Sequence, residues 1–141
     1  MQAPSFEEAV DQILAQDQRY HRDAYLFVRE ALDHAQRMIG RQPKKTETRH
    51  VSGEQLLGGI REFALQQFGP MALTLLEAWG IRRCEDFGEI VFNMVELKLL
   101  AKTDKDTRDD FKGAYDFDEA FRKPFLPVGK GSAPIAETKP N

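Results

Sequence analysis

The run Cys84-Glu85-Asp86-Phe87-Gly88-Glu89-Ile90-Val91-Phe92-Asn93-Met94-Val95-Glu96-Leu97-Lys98-Leu99-Leu100 decides the fold class. Phe87, Ile90, Val91, Met94 and Leu97 recur at helical steps and make one apolar stripe. Phe92, Val95 and Leu99 make a second stripe on another side. Only Glu85, Asp86, Glu89, Asn93, Glu96 and Lys98 leave a polar strip. The spacing predicts a helix from about Glu85 to Leu100 that is apolar over most of its circumference. Such a helix belongs in the middle of a domain, with other elements packed around it. Gly88 inside it costs about 1 kcal/mol relative to alanine, so a neighbour packed closely against Gly88 is expected to offset that.

The surrounding sequence supplies helices to do the packing. Ser5 followed by Glu8 is a capping-box signature, and Phe6, Val10, Ile13 and Leu14 form a short apolar stripe behind it. A longer helix is predicted from about Arg22 to Ile39, with Ala24, Phe27, Val28, Ala31, Leu32, Ala35, Met38 and Ile39 on one face. Gly40 stops it. Its wet face offers Arg29–Asp33 and Asp33–Arg37 at i,i+4, each worth a few tenths of a kcal/mol at most. Ser52 and Gln55 form a second capping box ahead of Leu56, Leu57, Ile60, Phe63, Ala64 and Phe68. Gly58-Gly59 inside that pattern signals close helix packing rather than a phosphate cradle. Gly69-Pro70 ends the third helix, with Pro70 suited to the first turn of the next. That fourth helix carries Met71, Leu73, Leu75, Leu76 and Trp79. Gly80 closes it, and Ile81 is placed for the apolar contact that accompanies a glycine cap. Beyond the fifth helix, Lys102 to Asp110 reads as a polar turn region. Phe111, Tyr115, Phe117 and Phe121 fit either a short hairpin or a terminal helix from Asp118 to Lys123. The expected architecture is all-α or mainly α: a compact bundle of five to six helices, with or without a small winged-helix-like hairpin near residues 100–117.

The chain has 141 residues and a mass of 16.1 kDa, enough for one domain with its own core. Residues 1–123 are read as that domain. Residues 124–141 contain Pro124, Pro127, Pro134, Pro140, Gly129 and Gly131, and are read as a mostly disordered tail. Lys plus Arg number 20 against 23 Asp plus Glu, a net charge of -3. That balance does not suit a bulk neutraliser of nucleic acid. The single cysteine, Cys84, excludes an intramolecular disulfide and a cysteine zinc cluster. No apolar run approaches the length of a membrane span, so no membrane partner is expected. Met1 to Glu8 has no basic stretch followed by an apolar core. The expectation is a soluble, cytoplasmic protein.

Chemistry-bearing residues are sparse. Glu30 and His34 lie at i,i+4, a geometry able to share a metal, but further ligands are missing and a solvent-facing pair is the expectation. Asp104, Asp106, Asp109 and Asp110 lack the glycine and terminal glutamate of an EF-hand loop, so a solvated turn is expected. Arg82 and Arg83 before Cys84 would lower a thiol pKa. Glu85 and Asp86 act the other way, so Cys84 is read as a structural thiol. Glu89 and Glu96 border the apolar helix, and a solvated edge is the expectation for both. No catalytic residue, cofactor or metal site is assigned.

Three resemblances follow from strings of residues. Leu75, Leu76, Trp79-Gly80-Ile81, Phe87, Ile90, Val91, Val95 and Leu99-Leu100 follow spacing that is similar to a winged helix-turn-helix domain. The helix offered to a DNA groove would then be Cys84 to Lys98. Its Glu85, Asp86, Glu89 and Glu96 against Lys98 disfavour direct DNA reading without excluding it. Ala31, Leu32, Ala35, Val51-Ser52-Gly53-Glu54-Gln55-Leu56-Leu57, Leu75, Leu76 and Gly80-Ile81 resemble one repeat of the N-terminal domain of Clp-type chaperones. That resemblance implies a non-catalytic binding domain. Gln55 stands where the repeat usually has histidine, and a second repeat is missing, so the first and fifth helices would have to cover its apolar face. Across residues 6–123 the chain resembles an uncharacterised family of short conserved hypothetical proteins from planctomycete and verrucomicrobial bacteria. The matching strings are Arg22-Asp23-Ala24-Tyr25 with Phe27-Val28, His50-Val51-Ser52-Gly53, Gln67-Phe68-Gly69-Pro70-Met71-Ala72, Trp79-Gly80-Ile81-Arg82, Asp86-Phe87-Gly88-Glu89-Ile90-Val91-Phe92-Asn93 and Tyr115-Asp116-Phe117. It implies a single compact bacterial domain, has no assigned activity to transfer, and says nothing on mechanism.

The functional expectation is a non-catalytic protein-interaction or regulatory module with a protein partner of unknown identity. A nucleic-acid-binding winged helix is the alternative, and a small enzyme or metal-binding protein the third. Three surfaces are candidates. The first is the basic loop over 41–51, with Arg41, Lys44, Lys45, Arg49 and His50, where an acidic partner could dock; a solubilising loop is the plainer reading. The second is the strip Asp86, Glu89, Asn93 and Glu96, which could face a basic partner. The third is Phe125 and Leu126 within an extended proline-flanked segment, for which docking onto the protein's own core is the favoured reading over a linear motif.

Overall fold

The structure, a computed structural model, describes residues 5–40, 51–100 and 108–127, without the side chains of 39 and 40. Five α-helices occupy this part: α1 Phe6–Gln16, α2 Arg22–Gly40, α3 Gly53–Phe68, α4 Ala72–Ala78 and α5 Cys84–Glu96. A 3-10 turn Gly69–Met71 leads into α4. Three short turns follow α5: a 3-10 turn Arg108–Phe111, one turn of π-helix Asp118–Arg122 and a 3-10 turn Lys123–Phe125. There is no strand among the described residues. The expected hairpin near 100–117 is therefore not formed over 108–117, and residues 101–107 lie outside the described residues. Of the two alternatives for the aromatic stretch, the helical turn after Asp118 is the one adopted. Ala120 and Phe121 carry it into the core.

Local chemistry sets the helix starts. In α1 the Ser5 Oγ accepts from the Glu8 N–H at 3.1 Å while Glu8 Oε1 accepts from the Ser5 N–H at 3.0 Å. In α3 the Ser52–Gln55 pair makes the same two bonds at 3.1 and 3.0 Å. Each box satisfies two otherwise orphaned amide groups. At the end of α4 the Ile81 N–H donates to Leu76 O at 2.9 Å and the Gly80 N–H to Glu77 O at 3.0 Å. These are the two bonds of a Schellman cap, with Leu76 and Ile81 both fully buried. Gly80 adopts φ +94°, and a Cβ there would lie 2.3 Å from Arg19 O. Glycine is thus required twice, by conformation and by space.

The fifth helix ends earlier than its apolar pattern predicts. It stops at Glu96, because Lys98 turns left-handed (φ +64°). The Leu99 N–H then donates to Met94 O and the Lys98 N–H to Val95 O, both at 2.9 Å. This is again a Schellman cap, with lysine where glycine is usual.

α2 and α3 form the most extensive helix pair, and α5 touches α1, α2, α3 and the Arg108–Phe111 turn. A Cβ on Gly59 of α3 would meet the Ala35 Cβ of α2 at 2.7 Å, while Gly58 faces open space. Of the expected glycine pair, one position carries the close packing. Phe87, Ile90 and Met94 of α5 are fully buried alongside Tyr25, Val28, Leu57, Ile60 and Leu76. Two aromatic groups contribute to this core: Phe27, Phe63, Phe68 and Trp79 in one, and Phe87, Tyr115, Phe117 and Phe121 in the other. On the α2 surface, Asp33 pairs with Arg37, whereas Arg29 places its guanidinium 4.5 Å from the Phe6 ring centroid.

The neighbour expected at Gly88 is Phe111. A Cβ on Gly88 would lie 2.9 Å from both Cβ and Cγ of Phe111, which is itself buried. Gly88→Leu should therefore lower unfolding free energy by about 3 kcal/mol in urea titration, because it overpacks that contact. An unchanged midpoint would refute the packing. Lys98→Gly should act the other way and raise stability by about 1 kcal/mol, since the left-handed cap then costs a side chain nothing. The same titration reads both.

Candidate functional site

The polar strip of α5 is the site to which the structure gives most detail. It faces the residues that link α1 to α2. Asp86 Oδ1 accepts from the Tyr20 hydroxyl at 2.7 Å. Its Oδ2 accepts from the Arg82 and Arg83 amides at 2.8 and 3.2 Å, so the same carboxylate caps the first turn of α5. One turn on, Glu89 takes two cations. Arg19 Nη2 reaches Oε1 and Arg108 Nε reaches Oε2, each at 3.2 Å. Arg108 also lies 5.0 Å from the Phe92 ring centroid. A further turn on, Asn93 Nδ2 donates to Asp17 Oδ2 and to the Tyr25 hydroxyl, both at 3.1 Å. Asp17 closes the circuit. Its two oxygens take Arg19 Nε at 2.9 Å and Nη2 at 2.7 Å. Glu96 is exposed, beyond this network.

The electrostatics follow from those partners. Hydrogen bonds from the Arg19 side chain hold the Asp17 carboxyl well below the usual carboxylate range, and the Arg19 amide and Asn93 add to the effect. Arg19 is raised in turn, chiefly by Asp17. Burial pushes the Tyr20 phenol up, and its bond to Asp86 pushes the same way. Burial also raises Tyr25. Each member of the strip from Asp86 to Asn93 therefore has partners within the chain, and the network fastens the α1–α2 link to α5. A backbone bond ties the same link to the end of α4: the His21 N–H donates to Trp79 O at 3.0 Å.

The other candidates occupy separate places. Cys84 is buried and its thiol donates to Tyr115 O at 3.4 Å. Burial pushes that thiol up, which suits a structural role rather than a nucleophile. Tyr115, also raised by burial, donates its hydroxyl to Leu57 O at 2.9 Å. His34 does not face solvent with Glu30. Its Nε2 is 3.3 Å from Glu62 Oε1 on α3, and its ring packs on Phe63. No group of three His, Cys, Asp or Glu side chains among the described residues is arranged to hold a metal. No helix among them is long and apolar enough to cross a membrane. Asp109 and Asp110 belong to the Arg108–Phe111 turn. Arg41, Lys44, Lys45, Arg49 and His50 lie outside the described residues, as do Asp104 and Asp106.

Phe125 and Leu126 are placed differently from the favoured expectation. The segment is not extended throughout: Lys123–Phe125 is a 3-10 turn closed by the Leu126 N–H on Lys123 O at 3.1 Å. Nor are the two side chains docked into the core. Phe125 is 44% exposed and Leu126 43%. The turn follows directly on buried Ala120 and Phe121, which fix its start to the core, and Lys123 Nζ pairs with Glu119 Oε2 at 2.8 Å on the surface. The aromatic residues just before them do pack together, with Phe117 and Phe121 centroids 5.1 Å apart and both rings buried.

Compared with known proteins, the chain matches no family model, no curated protein and no solved structure.

Sequence reasoning found the α5 strip but missed its partners Asp17, Arg19, Tyr20, Tyr25 and Arg108. The only local signal was Asp17-x-Arg19 just after a helix end, an arrangement that lets the arginine fold back onto the carboxylate. Asp17→Asn should cost about 1 to 2 kcal/mol of stability at neutral pH, because a charge-assisted pairing with Arg19 is lost. The folded carboxyl titrates below its unfolded value, so its contribution is complete above about pH 4 and fades as the pH falls further. Denaturation of both forms from pH 7 to pH 2 should show the two curves converging only below pH 4. A constant gap down to pH 2 would show that the Asp17 charge contributes nothing.

Proposed function

We propose that this chain is a non-catalytic protein-interaction or regulatory module that engages its partner through the surface around Phe125 and Leu126. One observation carries the reading: two large apolar side chains, adjacent in sequence, are held half-exposed on a turn anchored to the core. Apolar surface kept open to water on an ordered turn loses less conformational freedom on binding than the same residues on a loose segment. The acidic strip of α5 supports this choice of surface, because Asp86, Glu89 and Asn93 already have partners within the chain. Glu96 and the basic residues Arg41, Lys44, Lys45, Arg49 and His50 would form secondary, charged contacts on this reading. A bacterial, cytoplasmic setting is part of the same proposal. It rests on the resemblance to the bacterial hypothetical family and on a lone thiol that is buried and free.

The test compares the tagged chain with Phe125→Ala/Leu126→Ala, each used to capture partners from its source lysate with and without nuclease. Both residues are half-exposed, so the double variant should melt within a few degrees of the parent. The expected result is a stoichiometric protein that survives nuclease with the parent and is reduced at least tenfold with the variant. Equal capture by both forms would place the partner surface elsewhere. Recovery that collapses with nuclease would overturn the reading in favour of the nucleic-acid alternative, and its steep loss with added salt would confirm that outcome.

A further inference from the structure

We draw no further inference here: the strongest candidate, the half-exposed apolar pair Phe125 and Leu126 on the surface turn that ends the described chain, belongs to the surface the proposed function already uses, and nothing in the structure shows what covers it.

Discussion

Helix α5 can occupy the middle of the domain because its polar strip is answered by the residues that join α1 to α2. A carboxylate or amide turned toward a packed neighbour is costly unless its hydrogen bonds are made. Asp86, Glu89 and Asn93 meet that condition with Tyr20, Arg19, Tyr25 and Asp17, spaced along three successive turns. The apolar sides of α5 are then free to bury Phe87, Ile90, Phe92 and Met94. Arg19 contributes at both ends of this arrangement. Its guanidinium bridges Asp17 and Glu89, while its carbonyl lies where only a glycine at position 80 leaves room.

Elements whose chemistry is local were legible in the sequence. Both capping boxes depend on residues three apart, and the Gly80–Ile81 cap on a glycine and the apolar residue after it. The burial of α5 was legible too, because two apolar stripes on one helix leave few orientations. Its end was not. Leu97, Leu99 and Leu100 continue an apolar rhythm, and nothing marks Lys98 as the residue that turns left-handed. The partners of the polar strip were hidden for a different reason. Periodicity assigns a residue to a face, but says nothing about which distant side chain that face will meet.

The same reasoning explains why the side chains of the candidate surfaces are used so differently within the fold. A strip such as Asp86, Glu89, Asn93 and Glu96 looks available when only its own helix is considered. In the folded chain three of the four are committed within the domain and one remains open. Phe125 and Leu126 show the reverse. Their apolar character suggests burial, yet they remain half-exposed while Phe117 and Phe121 just before them are buried. In both cases the outcome depends on which distant side chains lie nearby, which a one-dimensional pattern does not contain.

The fastening between the α1–α2 link and α5 also bears on how the chain comes to be folded. Its hydrogen bonds join residues 66 to 76 positions apart. α2 and α3, by contrast, meet across a single connection, and helices can form within themselves. Closing a long loop before its contacts are rewarded is entropically expensive, so local pairs are favoured early and distant ones late. During synthesis α1 and the Asp17–Tyr20 link precede α5, so their bonds to Asp86, Glu89 and Asn93 wait until α5 has left the ribosome. The fastening between the link and α5 is therefore among the latest contacts that the order of these elements allows.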